Sequence, residues 1–77
     1  MSPNPKPICE HIGKMVRHYR RACDLTMQDL ADRTELSKTY IWELEHGSCE
    51  PGAGTIMRMC RVFRISADEL LGINYGE

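Results

Sequence analysis

Apolar residues recur along this chain at the spacing of a helix, and nowhere alternate as in a half-buried strand. Ile8, Ile12, Met15, Val16, Tyr19 and Cys23 lie four, three, one, three and four residues apart, one continuous stripe, and predict a first helix running to about Cys23. Pro7 suits its first turn, where the missing N–H costs nothing. Asp24 and Leu25 make a short link. Met27, Leu30 and Ala31 then predict a second helix over about 27–34, and Ile41 with Leu44 a third over about 38–46, with Leu36 alone between them. Thr26 and Ser37 stand where a hydroxyl accepts the first free N–H groups of each helix, and Asp29 completes a capping-box-like pair with Thr26. Gly47 ends the third helix, because glycine takes the left-handed terminal conformation without penalty. Pro51 and two glycines mark 48–54 as a loop. Ile56, Met59, Cys60 and Phe63 form a fourth helical stripe, Ile65 plugs the space after it, and Ser66 with Glu69 caps a short fifth helix that Gly72 stops.

The expectation is an all-α domain of five helices with short connections, spanning 8–72, with a flexible arm at 1–7 and a tail at 73–77. Helices 2 and 3 form a helix-turn-helix, in which Ala31, Leu36, Ile41 and Leu44 face inward and Ala31 is small enough to let the second helix cross closely. A unit of this kind is built to place its second helix in a DNA major groove.

Size and composition narrow the alternatives. Seventy-seven residues, 42% of them apolar, make one small core but no enclosed catalytic cavity of ordinary size. No run approaches the length of a membrane span, and the MSPNPKP start has no signal-peptide character, so a cytoplasmic location and reduced thiols are expected. Cys9, Cys23, Cys49 and Cys60 show no paired spacing. Cys23 and Cys60 fall in phase with apolar neighbours and are expected to be buried as small hydrophobes, while the His46–Cys49 pair lacks partners for a metal. No metal or cofactor site is expected. His11, His18 and His46 are scattered, with solvated or capping roles, and no nucleophile–base constellation or phosphate loop points to an enzyme.

Charge modifies the picture. Ten basic and eleven acidic residues leave −1, where a DNA-binding domain is usually basic. Lys14, Arg17, Arg20 and Arg21 crowd the first helix and Arg58, Arg61 and Arg64 the fourth; each cluster suits either a solvated face or phosphate contact. From Glu35 to Glu50, four glutamates oppose Lys38 alone.

With the segment LTMQDLADRTELSKTYIWELEHG at 25–47, Pro51, TIMRMCRVF at 55–63 and ISADELLG at 65–72, the chain resembles the phage repressor and Cro (XRE-like) family of helix-turn-helix DNA-binding domains over about residues 11–71. The resemblance implies a compact five-helix lambda-repressor-like bundle and a transcriptional regulator of bacterial or phage type. Such a regulator binds double-stranded DNA as a homodimer on a palindromic site. It implies that Arg20 pairs with Glu45, either locking helix 1 to helix 3 or also aiming Arg20 at a phosphate. It implies phosphate contacts at the start of helix 2, from Thr26, Met27 and Gln28, and base contacts from Ser37, Lys38, Thr39, Tyr40 and Glu43. Two positions depart from the family pattern. Glu35 stands where glycine is usual in the turn, and Ser48, Cys49 and Glu50 replace a loop that is often basic. Leu71, Ile73 and Tyr75 are candidate dimer contacts. A second class of function is a protein-interaction module of the same fold, of antitoxin or antirepressor type, docking through the large side chains Tyr40 and Trp42.

Overall fold

A computed structural model describes residues 7–72 of the chain. Five helices follow one another: α1 Pro7–Ala22, α2 Met27–Thr34, α3 Lys38–Glu45, α4 Ala53–Phe63 and α5 Ala67–Leu71. No strand occurs among the described residues. Of the expected arm only Pro7 is described, opening α1; the rest of it, and the 73–77 tail with Ile73 and Tyr75, lie outside the described residues.

Local chemistry sets these boundaries. Thr26 Oγ1 accepts from the Asp29 N–H at 3.0 Å while the Asp29 carboxylate accepts from the Thr26 N–H at 3.0 Å, a complete capping box at the start of α2. Ser66 and Glu69 form a second one at α5. Ser37 Oγ accepts from the Tyr40 N–H at 3.0 Å and starts α3. Glu35, the C-cap of α2, lies in the left-handed region at φ 61°, so the turn is built as expected although it lacks glycine. Asp24 and Arg64 take the same conformation at φ 62° and 58°. Gly47 and Gly72 stop α3 and α5 at φ 72° and 71°.

The helices bury one core. Ile12 and Val16 of α1, Leu25 of the following link, Leu30 and Ala31 of α2, Ile41 and Leu44 of α3, Met59 and Phe63 of α4 and Leu70 of α5 form it. Tyr19 stacks on Phe63 with ring centroids 5.9 Å apart. Helix α3 is clamped between α1 and α2, while α4 and α5 close the other side.

Several expectations need correction. Cys23 is exposed, because α1 ends at Ala22 and the following residues turn away; Cys60 is half-buried. Ile8 is 53% exposed, and its neighbour Cys9 takes the inward position at the first turn. Leu36 is half-buried against the core rather than inside it. Helix α4 begins at Ala53, so Gly54 belongs to its first turn and not to a loop. Gly52 is the N-cap there, a position glycine fills well.

Candidate nucleic-acid interface

The inner face of α3 belongs to the fold. Ile41 and Leu44 are buried in the core, and Glu45, one residue on, has a side chain with no exposure at all. A carboxylate removed from water must be paired. Arg20 supplies the pair from α1: its Nε–H and Nη2–H donate to the two carboxylate oxygens, and its Nη1–H donates to the Leu25 carbonyl at 2.9 Å. The hydrogen bond to Glu45, with the nearby charge, raises the Arg20 pKa against the opposing effect of burial. Arg20 is itself only 11% exposed at its side chain, so the locking role is the one its geometry performs.

Arg17, one turn earlier on α1, joins the same glutamate. Its Nε–H lies 3.4 Å from Oε1 and its Nη2 3.4 Å from the Glu45 carbonyl, with over a third of the side chain open to solvent. Two arginines thus share one buried acid, and the surplus positive charge sits at the surface on Arg17. Gly13 makes the approach possible. A Cβ there would collide with the Leu44 carbonyl oxygen and come within 2.8 Å of that of Glu45, so α1 and α3 meet backbone to backbone.

The outer face of α3 is assembled by the same packing. Lys38 and Thr39 are exposed, Glu43 is half-buried and Trp42 is exposed. With Met27 from the start of α2 they line an open depression of about 390 Å³. The Trp42 indole is not loose. It stacks on His46 with centroids 3.7 Å apart and planes at 15°, and the His46 Nδ1–H donates to the Trp42 carbonyl at 2.8 Å.

Tyr40 points elsewhere. It is half-buried against the core, and its hydroxyl lies 3.2 Å from that of Thr55 on α4. Among the side chains expected at the bases, then, Lys38, Thr39 and Glu43 are gathered on one surface. Ser37 is engaged as N-cap, with its hydroxyl proton still free to donate. At α2, the capping box occupies the Thr26 and Asp29 N–H groups, and helix geometry leaves those of Met27 and Gln28 without intrahelical acceptors. The Gln28 side chain donates to Asp32 at 2.9 Å. Arg58 donates to the Thr34 carbonyl at 2.8 Å and lies 3.7 Å from Glu35, so it closes the end of α2.

The remaining reactive groups are quiet. The His11 Nε2–H donates to the Leu71 carbonyl at 2.9 Å, a capping role like that of His46. Burial, with the charges of Glu43 and Cys9, pushes the Cys49 thiol up, and burial with Glu69 does the same to Cys60, so both stay protonated near neutral pH. Among the described residues no three His, Cys, Asp or Glu side chains gather as metal ligands, and no helix is long and apolar enough to cross a membrane. Leu71 is half-buried against the core.

Residues 11–71 match the family model described as a helix-turn-helix domain. An uncharacterised HTH-type transcriptional regulator of Mycobacterium tuberculosis is 29% identical over 58 residues, 75% of this chain and 41% of that protein. Another, from Sinorhizobium fredii, is 33% identical over 52 residues, 68% of this chain and 26% of its own length. The chain therefore spans less than half of these curated relatives. Among solved structures, the clp gene regulator ClgR from Corynebacterium glutamicum superposes with a TM-score of 0.80 at 27% identity, covering 92% of this chain and 90% of that one. The restriction-modification controller protein C.AhdI from Aeromonas hydrophila shares the fold, with a TM-score of 0.77 at 24% identity over 80% of this chain and 94% of that one.

Proposed function

We propose, because this chain belongs to the helix-turn-helix domain family of DNA-binding transcriptional regulators, that it reads a palindromic DNA site as a homodimer with α3 in the major groove. One observation carries this reading. The inner face of α3 is spent on Ile41, Leu44 and Glu45, which leaves Lys38, Thr39, Trp42 and Glu43 together on the outer face beside the start of α2. Lys38 donates to guanine O6 or N7, Thr39 meets a thymine methyl and Glu43 accepts from cytosine N4. Ser37 adds a hydroxyl donor at the same end. The free N–H groups of Met27 and Gln28, at the positive end of α2, and the exposed part of Arg17 hold the phosphates on either side. Arg20 acts through Glu45 by fixing the angle of α3.

One such domain buries too little surface for tight specific binding, so pairing on half-sites about one helical turn apart supplies the rest. Leu71 is the dimer contact within the described residues, and Ile73 and Tyr75 continue it outside them. The protein works where its DNA is, in the cytoplasm. The test is selection from random duplex DNA, followed by affinity measurements with Lys38→Ala and Thr39→Ala. Lys38→Ala is expected to cost about 1–3 kcal/mol on the selected site and to relax preference at one base pair. Unchanged affinity and preference in both variants would remove α3 as the reader.

The net charge of −1 and the 48% exposure of Trp42 support a second reading, a protein partner on the α3 surface. It predicts retention by that partner and weak retention on DNA at about 0.15 M salt.

A further inference from the structure

We infer that the depression walled by Met27, Thr39 and Trp42 is a pocket for the C5 methyl of a thymine, with Trp42 as the side chain that determines this preference. The inference rests on DNA reading by α3.

The depression lies between the first residue of α2 and the outer face of α3, where Trp42 is half-exposed. Its chemistry is unusual for a surface meant to meet a polyanion. Met27, Thr39 and Trp42 contribute to a mainly apolar lining, while Lys38 and Glu43 provide one charge of each sign. In the major groove the single apolar group on a base edge is the thymine methyl; every other feature there is a donor or an acceptor. An apolar wall facing that groove therefore gains most from thymine. Lys38 and Glu43 match a neighbouring G·C pair, through guanine O6 or N7 and cytosine N4 respectively.

The indole is also held in advance. A half-exposed tryptophan would ordinarily lose side-chain freedom on binding, which weakens the complex. Here the ring already lies flat on His46, and His46 is tied to the backbone of the same helical turn. His46 is thus a positioning residue for Trp42 and does not itself meet the base.

The experiment starts from a sequence selected by the wild-type chain from random duplex DNA. Each thymine is then replaced singly by uracil, which removes only the C5 methyl. Wild type is expected to lose about fourfold in affinity at one position of each half-site, the worth of burying one methyl group. Trp42→Ala is expected to bind the thymine and uracil duplexes about equally, and Trp42→Phe to keep part of the discrimination. Equal binding of all uracil-substituted duplexes by wild type overturns the pocket, as does full discrimination by Trp42→Ala; neither touches the reading of DNA by α3. A wild-type chain that selects no sequence overturns both the pocket and the reading of DNA by α3.

Discussion

Glu35 occupies the left-handed turn between α2 and α3 at φ 61°, a conformation that costs a side-chain-bearing residue about 1–2 kcal/mol. Its contact with Arg58 at 3.7 Å is solvent-exposed and offsets little of that. Glu35→Gly removes the strain but adds chain entropy to the unfolded state, so the net expectation is a gain of about 0.5–1 kcal/mol. Thermal melting checks this; an unchanged or lower midpoint would mean that the turn tolerates glutamate for another reason. Asp29 governs a different variable. Its hydrogen bonds from the Thr26 N–H hold its pKa below the ordinary aspartate value. A carboxylate lowered in the folded state stabilises fully above its unfolded pKa, near about pH 4, and that contribution disappears as pH falls through the folded value. The stability difference between wild type and Asp29→Ala should therefore be present at neutral pH and close in acid, as urea midpoints measured down the acid limb would show. A difference that persists below both pKa values would assign the effect to something other than ionisation.

The elements were largely legible from periodicity and caps, because both act locally. The two capping boxes, the three-residue link into α3 and the glycine stops all depend on residues a few positions apart. What escaped depends on neighbours distant in sequence. Cys23 lies on the α1 stripe, yet nothing in its own helix tells that α1 ends one residue earlier. Tyr40 looks like a base reader until Thr55 on α4 is placed beside it. Arg17 left a signal that was there to be used: it stands three residues before Arg20, so both face the same partner. Gly13 left another, as a lone glycine inside a helical stripe commonly marks close packing. Gly13→Ala tests that contact. Alanine favours a helix by about 1 kcal/mol, yet its methyl would have to push α3 off α1, at an expected net loss of about 1–3 kcal/mol. Urea denaturation of the purified variant measures it, and a stabilised protein would show that the two helices separate freely.

At the scale of the molecule, charge separates what the fold makes plain from what the site demands. A net charge of −1, with Arg20 buried on Glu45 and Arg17 partly engaged there, limits the positive charge that meets phosphates beside α3. Each phosphate neutralised by a lysine or arginine contributes a slope of about 0.9 in the dependence of log affinity on log salt, so a subunit with two or three such contacts gives a slope of about 2–3. Titrations of the selected site between about 50 and 200 mM salt, at roughly twice that slope for a dimer, check it; a slope near 10 would mean that further exposed cations, such as Lys14, Arg21 and Arg61, also meet phosphates. Composition could not reveal this, because the arginines that look available in the sequence are distinguished only by which of them the core has claimed. The division of α3 also bears on how such a protein changes over generations. Ile41, Leu44 and Glu45 hold the helix, while Lys38, Thr39, Trp42 and Glu43 support no part of the core. On the proposed reading, substitutions on the outer set would alter which target is chosen without drawing on the stability that keeps the chain folded. A lineage carrying a domain that works this way would explore new targets by single mutations, each intermediate still folding, with the inner three residues as the inherited constant.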